Sequence, residues 1–206
     1  LLASAVAWLS CCGPTRADTQ AEVASFYAGK TINMHIGFDV GGSYDFYGRL
    51  FAQYLGRYIP GNPSVVAQTM AGAGSLRAAN YLYNVAPKDG TSLAVVTQTL
   101  MLEEVFKTAG VKYKASEFGW IGRMTAVLET LVISGSAKAK SVADARLHET
   151  IAAGTGPTSP SEGYPRLLNA FAGAKFRIVS GYPGSTQALV ALERGEVDVV
   201  EGSWNT

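Results

Sequence analysis

The most constraining feature of this 206-residue chain is a short apolar strand that runs into two glycines and then directly into a helix. The stretch covers residues 36–52, with Gly41 and Gly42 at the turn and Ser43 at the start of the predicted helix. The first amide N–H groups of such a helix have no intrahelical partners. Together with the helix dipole, they offer a favourable position for an anion. The stretch therefore predicts an anion-binding crevice.

The same strand–glycine turn–helix unit recurs along the chain. A predicted strand at 64–70 leads into the turn at 71–75, and strands at 149–153 and 176–180 lead into the turns at 154–161 and 181–185. This alternation predicts an α/β fold in which mostly parallel, doubly wound sheets carry helices on both faces. The unit occurs in both halves of the chain, which predicts two lobes around a cleft. In such sheets, ligands bind beyond the carboxyl ends of the parallel strands, where the glycine turns lie.

Hydrophobic periodicity predicts the remaining elements. Further strands are expected at 30–38, 91–97, 118–124, 130–134 and 197–201, and further helices at 98–106, 142–149, 162–172 and 186–194. The helix at 43–59 is predicted to carry one apolar face. That face consists of Phe46, Leu50, Phe51, Tyr54 and Leu55.

The predicted organisation has three parts. Residues 1–17 are interpreted as a secretory signal peptide that is incomplete at its N-terminus, because an apolar run precedes a small-x-Ala pattern. Residues 18–123 form the first lobe and residues 124–206 an incomplete second lobe. Lipidation at Cys11 or Cys12 is an alternative for the leader, although the residues before each cysteine fit a lipoprotein signal poorly. Both cysteines lie in this leader, so no disulfide or cysteine-based metal site is expected in the folded body.

Composition and motifs argue against several functions. The net charge of +1 gives no indication of a nucleic-acid partner. Neither His35 nor His148 has a nucleophile at a motif spacing, and no metal-binding or Walker pattern occurs. We therefore expect no catalytic residues, no metal and no cofactor.

Four turns rich in glycine, serine and threonine remain as candidates for chemistry. Any one of them could simply need glycine for a positive φ or for close helix packing. Four such turns, distributed over two lobes, favour an anion-binding site made of backbone amides and hydroxyl groups. Asp45 either caps its helix or contacts the ligand, and the sequence leaves both roles open.

At these residues the chain resembles the solute-binding proteins of the tripartite tricarboxylate transporter family, also called Bug proteins. The matching motifs are Gly41-Gly42-Ser43-Tyr44-Asp45, then 71–75, Pro87-Lys88-Asp89-Gly90, 154–158, and Tyr182-Pro183-Gly184-Ser185 followed by 192–198. Ala71 stands where the family has proline, and Ser75 where it has its last glycine. The resemblance covers about residues 30–204, and family members run near 300 residues, which is the basis for expecting an incomplete second lobe.

The resemblance implies a type II-like periplasmic-binding-protein fold and an extracytoplasmic protein, expected to be a monomer in the periplasm. It implies capture of a small carboxylate, either a di- or tricarboxylate or an aromatic acid, and delivery to a membrane permease. The ligand contacts that it implies are Phe38, Gly41, Gly42, Ser43, Asp45, Ala73, Gly74, Thr97, Thr155, Gly156, Thr158 and Tyr182.

Two other hypotheses stay open at this point. The chain could be an extracytoplasmic sensor domain that binds a carboxylate and acts with a signalling partner. It could also be an enzyme acting on a carboxylate or phosphate, although the absence of a nucleophile–base pair argues against that. The sequence does not name the ligand, because recognition by backbone amides leaves little trace in the side chains.

Overall fold

The computed structural model describes residues 19–126 and 128–204. The predicted leader at residues 1–17, with Cys11 and Cys12, lies outside these ranges. The helices are α1 Gln20–Tyr27, α2 Ser43–Leu55, α3 Leu76–Asn84, α4 Leu100–Val105, α5 Val142–Ala145, α6 Pro160–Ala172 and α7 Ser185–Glu193. The strands are β1 Thr31–Ile36, β2 Ser64–Thr69, β3 Ser92–Val95, β4 Glu129–Ile133, β5 Thr150–Gly154, β6 Phe176–Ser180 and β7 Val199–Ser203.

The first lobe is built on a parallel sheet with the strand order β2-β1-β3. The central strand β1 is buried on both faces, as expected for a parallel strand between helical layers. Ile36 and Met34 pack with Ala52 of α2 on one face. On the other face, the His35 ring makes an edge contact with Tyr81 of α3 at 4.8 Å. Helices therefore cover both faces of this sheet.

The second lobe has a four-stranded sheet with the order β4-β7-β5-β6, in which only the β4–β7 pair is antiparallel. Ala152 of β5 packs with Phe176 and Val199 on one face. The neighbouring Ala153 points to the opposite face and packs with Ala188 and Ala191 of α7. This arrangement confirms the predicted doubly wound α/β architecture.

The apolar face predicted for α2 is not the face that packs on the sheet. Phe46 is 62% exposed, and Leu50, Phe51 and Tyr54 are exposed as well, whereas Leu55 packs into the core. The buried residues of this helix are Asp45, Gly48 and Ala52. A Cβ atom at Gly48 would lie 2.9 Å from Cδ1 of Ile36, so small residues are what allow α2 to approach β1 closely.

Several predicted boundaries also differ from the structure. No strand forms at 118–124. Phe118 instead contacts Tyr83, Tyr113 and Trp120 in an aromatic cluster. Instead, a 3₁₀ turn at Ala115–Glu117 precedes an irregular connection to β4. The helix predicted at 142–149 is only four residues long, and the last strand begins two residues later than predicted. The lobe boundary at residues 123 and 124 stays a prediction.

Candidate functional site

A cavity of about 380 Å³ lies between the two lobes. The turn after β2 forms its first wall, and the turns after β5 and β6 form the second. The cavity is therefore at the carboxyl ends of parallel strands, the position that this architecture favours for ligands. Its lining residues are Ala71, Gly72, Ala73, Thr155, Gly156, Pro157, Ser180, Gly181, Tyr182 and Pro183.

The two lobes touch directly beside this cavity. The amide of Gly74 donates a hydrogen bond to the carbonyl of Thr155 at 3.1 Å. The hydroxyl of Thr158 donates to the carbonyl of Ala73 at 2.8 Å. Gly156 permits this contact, since a Cβ atom there would lie 2.6 Å from the backbone of Ala73 and Gly74. The turns of both lobes thus form one continuous wall of backbone.

Three residues of this wall have backbone amides without an acceptor among the described residues. No described residue accepts a hydrogen bond from the backbone N–H groups of Ala71, Gly72 or Gly156. Buried backbone donors are nearly always paired in native proteins, with protein groups or with water. Gly156 is buried and the other two residues are half-buried. Such a cluster of donors suits an anionic oxygen.

The turn at Gly41 and Gly42 faces the N-terminus of α7 rather than this cavity. A Cβ atom at Gly42 would lie 2.7 Å from the hydroxyl of Ser185. The protein's own carboxylate, Asp39, lies between the two helix N-termini and accepts a hydrogen bond from Nε2 of Gln187 at 2.6 Å. Negative charge is stabilised at such a position. Asp39 therefore supplies an anion here and links the two lobes.

Asp45 is engaged entirely within its own lobe. Its Oδ2 accepts a hydrogen bond from the amide of Gly41 at 3.1 Å, and its Oδ1 pairs with Nε of Arg49 at 2.7 Å. Arg49 in turn donates to the hydroxyl of Thr69 at 3.1 Å. Asp45 thus fixes the glycine turn onto α2 and, through Arg49, onto the end of β2.

Phe38 and Thr97 belong to a packed group beneath the first turn. Phe38 stacks on the ring of Tyr44 at 4.1 Å between centroids. The amide of Thr97 donates to the hydroxyl of Ser75 at 2.9 Å, and its own hydroxyl lies 3.0 Å from that of Thr99. Burial raises the pKa of Tyr44 to about 12, so its phenol stays protonated.

A pair of glutamates connects the lobes behind this group. Glu129 and Glu201 lie on the antiparallel strands β4 and β7, two residues apart in register and therefore on one face. The side chain of Gln98, from the first lobe, donates a hydrogen bond to Oε1 of Glu129. Burial, together with the hydrogen bond and charge of Glu129, raises the pKa of Glu201 to about 9. The pair consequently holds a proton at neutral pH.

The structure distributes the twelve predicted contacts over three places. Four line the cavity, namely Ala73, Thr155, Gly156 and Tyr182, while Gly74 and Thr158 form the lobe contact beside it. Gly41, Gly42 and Ser43 lie at the N-terminus of α2, near α7. Phe38, Asp45 and Thr97 are buried; Phe38 stacks on Tyr44, and the other two are hydrogen-bonded within the protein.

Sequence reasoning missed Ala71, Gly72, Pro157, Ser180, Gly181 and Pro183 as cavity residues, although all of them lie in or next to turns that it had singled out. The signal that could have found them is position alone, since each lies at or just after the carboxyl end of a strand. The link between Asp39 and Gln187 had no sequence signal.

Other chemistries find little support in residues 19–126 and 128–204. His35 is buried, and this burial lowers its pKa. Those residues contain no group of three or more histidine, cysteine, aspartate or glutamate side chains that could hold a metal ion. No helix in those ranges combines the length and the apolar character that crossing a membrane requires.

Comparison with solved structures identifies the fold as that of periplasmic binding proteins. The chain resembles a periplasmic transporter at a TM-score of 0.74 and 18% identity, over 86% of this chain and 60% of that one. It resembles MatC from Rhodopseudomonas palustris, solved with malate bound, at a TM-score of 0.68 and 21% identity, over 84% of this chain and 60% of that one. The periplasmic binding protein BugD matches at a TM-score of 0.66 and 17% identity, over 86% of this chain and 60% of that one.

At these low sequence identities, the structural similarity establishes the fold. It confirms, for the fold, the family resemblance drawn from the sequence motifs. The three structures are of binding and transport proteins. The chain spans about 60% of the length of each of them. No protein-family model and no curated protein matches the chain.

Proposed function

We propose that the chain binds a small organic carboxylate in the cavity between its lobes, as an extracytoplasmic solute-binding protein. The observation that carries this proposal is the group of unpartnered amides of Ala71, Gly72 and Gly156 on the cavity wall. Backbone donors at strand and helix ends bind anionic oxygens well. Ala73, Thr155 and Tyr182 would complete the contacts, and the solute would be a di- or tricarboxylate or an aromatic acid.

Delivery of the solute to a permease of the tripartite tricarboxylate type is the second part of the proposal. Its support is the ordered set of sequence motifs together with a fold shared with periplasmic binding proteins. The malate found in MatC shows that a protein of this fold can hold a small hydroxy dicarboxylate. We further propose a periplasmic location and a monomeric state.

A thermal-shift screen against organic acids tests the binding proposal. A ligand at 100 times its Kd stabilises the folded state by about 2.7 kcal/mol, which raises the melting temperature measurably. Ala71→Trp would fill the cavity and should abolish the shift. The control is Ala21→Trp, at an exposed position on α1, which should leave the shift unchanged.

The outcome decides between binding, catalysis and neither. Stabilisation by an acid that NMR shows to be unconsumed after prolonged incubation supports a binding protein. Consumption of the acid would replace the proposal with an enzymatic one. If no acid in a broad panel shifts the melting temperature, carboxylate binding is excluded for this chain.

A further inference from the structure

The cavity between the lobes is lined by uncharged residues, but one exposed arginine packs beside Gly72, a residue of its wall. Arg77, in the first turn of α3, packs its stem against Gly72. A Cβ atom at Gly72 would lie 3.6 Å from both Cβ and Cδ of Arg77. The guanidinium group is joined to this Cδ through Nε. Because this Cδ packs beside Gly72, the guanidinium can reach the turn after β2 that carries the unpartnered amides of Ala71 and Gly72.

The charge of Arg77 is uncompensated within the described ranges, in contrast to the charges of Arg49 and Arg166. Arg49 pairs with Asp45 at 2.7 Å, and Arg166 pairs with Glu162 at 2.7 Å. Within the described ranges, no carboxylate lies within ion-pair distance of Arg77. Arg77 is also exposed, so the guanidinium is free to reorient. A free guanidinium beside a set of amide donors can bind a further carboxylate in a bidentate manner.

We propose that Arg77 is a specificity-determining residue that pairs with a second anionic group of the solute. One carboxylate would lie on the amides of Ala71, Gly72 and Gly156, and the second would bind Arg77 at the edge of the same cavity. The cavity volume of about 380 Å³ is sufficient for a small diacid. This inference rests on the proposed carboxylate-binding function and adds a preference for doubly over singly charged solutes.

The test compares diacids with their monoamides, which have the same size but lack one charge. Affinities for malonate, succinate, glutarate and adipate and for the four monoamides are measured by isothermal titration calorimetry. The wild-type chain should bind its best diacid more tightly than the matching monoamide. Arg77→Met should weaken the binding of that diacid by about 10- to 100-fold, as expected for the loss of a charged hydrogen-bonded pair. Binding of the monoamide should change less than about threefold.

Two further variants make the result specific. Arg77→Lys keeps the charge but loses the bidentate geometry, so its diacid affinity should fall between those of wild type and Arg77→Met. Arg146→Met removes another exposed arginine, next to α5, and should leave both affinities unchanged. Circular dichroism of each variant confirms that the fold is retained.

The possible failures are distinguishable. If the wild type binds acids but Arg77→Met leaves diacid affinity unchanged, the role of Arg77 is overturned while the proposed function stands. An equal loss for diacid and monoamide also overturns it, because the effect is then not specific to the second charge. If the wild type binds none of these diacids although another acid stabilises it in the thermal-shift screen, the preference for a diacid at Arg77 is overturned while carboxylate binding stands. If no acid in either set binds, the proposed function itself fails.

Discussion

Asp45 is an example of a single residue whose role depends on its partners rather than on its position in a motif. Both carboxylate oxygens are bonded within the lobe, to the amide of Gly41 and to Arg49. The carboxylate is almost fully buried, while the arginine is half-exposed. These contacts favour a structural role, in which Asp45 holds the first glycine turn in its conformation with a positive φ at Gly41.

Replacement of Asp45 by alanine should therefore destabilise the fold. The lost bonds to an amide and a half-exposed guanidinium are together worth about 1–2 kcal/mol of unfolding free energy. Urea denaturation followed by circular dichroism measures this loss. Glu193→Ala, at an exposed position near the end of α7, is the control and should change stability by less than about 0.5 kcal/mol. A stability loss for Asp45→Ala no larger than for the control would contradict the structural role.

At the scale of elements, the alternation of strands, glycine turns and helices could be predicted from the sequence, but the orientation of α2 could not. The aromatic residues Phe46 and Tyr54 indicate a core face by hydrophobicity, yet both are exposed. The residues of α2 that pack on the sheet are instead Gly48 and Ala52, because the close approach to Ile36 leaves no room for a larger side chain. Hydrophobic periodicity reports apolar surface and does not report the distance between helix and sheet.

The strand pair β4 and β7 carries a pH-dependent contribution to stability through Glu201. Its pKa is raised from the ordinary 4.5 to about 9 in the folded state, chiefly by burial. A group with a raised pKa binds its proton more tightly when folded, so its stabilising contribution is complete below about pH 4.5. That contribution is lost as the pH rises towards 9, because deprotonation leaves a negative charge on Glu201 in a buried place next to Glu129.

We therefore expect the unfolding free energy to decrease between pH 5 and pH 9, and the Glu201→Gln variant to show a smaller decrease. Glutamine keeps a hydrogen-bonding side chain of the same size but cannot lose a proton. Denaturant titrations at a series of pH values give the slope. The control is Glu196→Gln, whose side chain is exposed and only weakly paired with Arg194 at 3.8 Å. Identical slopes for wild type and Glu201→Gln would contradict the shared proton.

At the scale of the whole molecule, the relation between the lobes depends on contacts between residues far apart in the sequence. The hydroxyl of Thr158 meets the carbonyl of Ala73, 85 residues earlier, and Gln187 meets Asp39. The sequence indicated that the cavity lies at turns after strands, but it also placed the Gly41–Gly42 turn there, and that turn faces α7 instead. It could not indicate which turns bond to each other, because either glycine turn of the first lobe could have met either turn of the second.

Gly156 determines how closely the two lobes approach. Its φ is +145°, and a Cβ atom would lie 2.6 Å from backbone atoms of Ala73 and Gly74, which cannot move aside as a flexible side chain would. Gly156→Ala should therefore separate the turns, weaken the hydrogen bond between Gly74 and Thr155, and enlarge the cavity mouth. We expect a larger radius of gyration in small-angle X-ray scattering and a loss of about 1–3 kcal/mol in unfolding free energy.

Gly122→Ala is the matched control for this variant. Gly122 has a similar φ of +157°, but a Cβ atom there would meet nothing within 4 Å. It therefore introduces comparable backbone strain without a steric clash between the lobes. The difference between the two variants isolates the interlobe contact from the cost of placing alanine at a positive φ. If both variants lose the same stability and keep the wild-type radius of gyration, the approach of the lobes does not depend on Gly156.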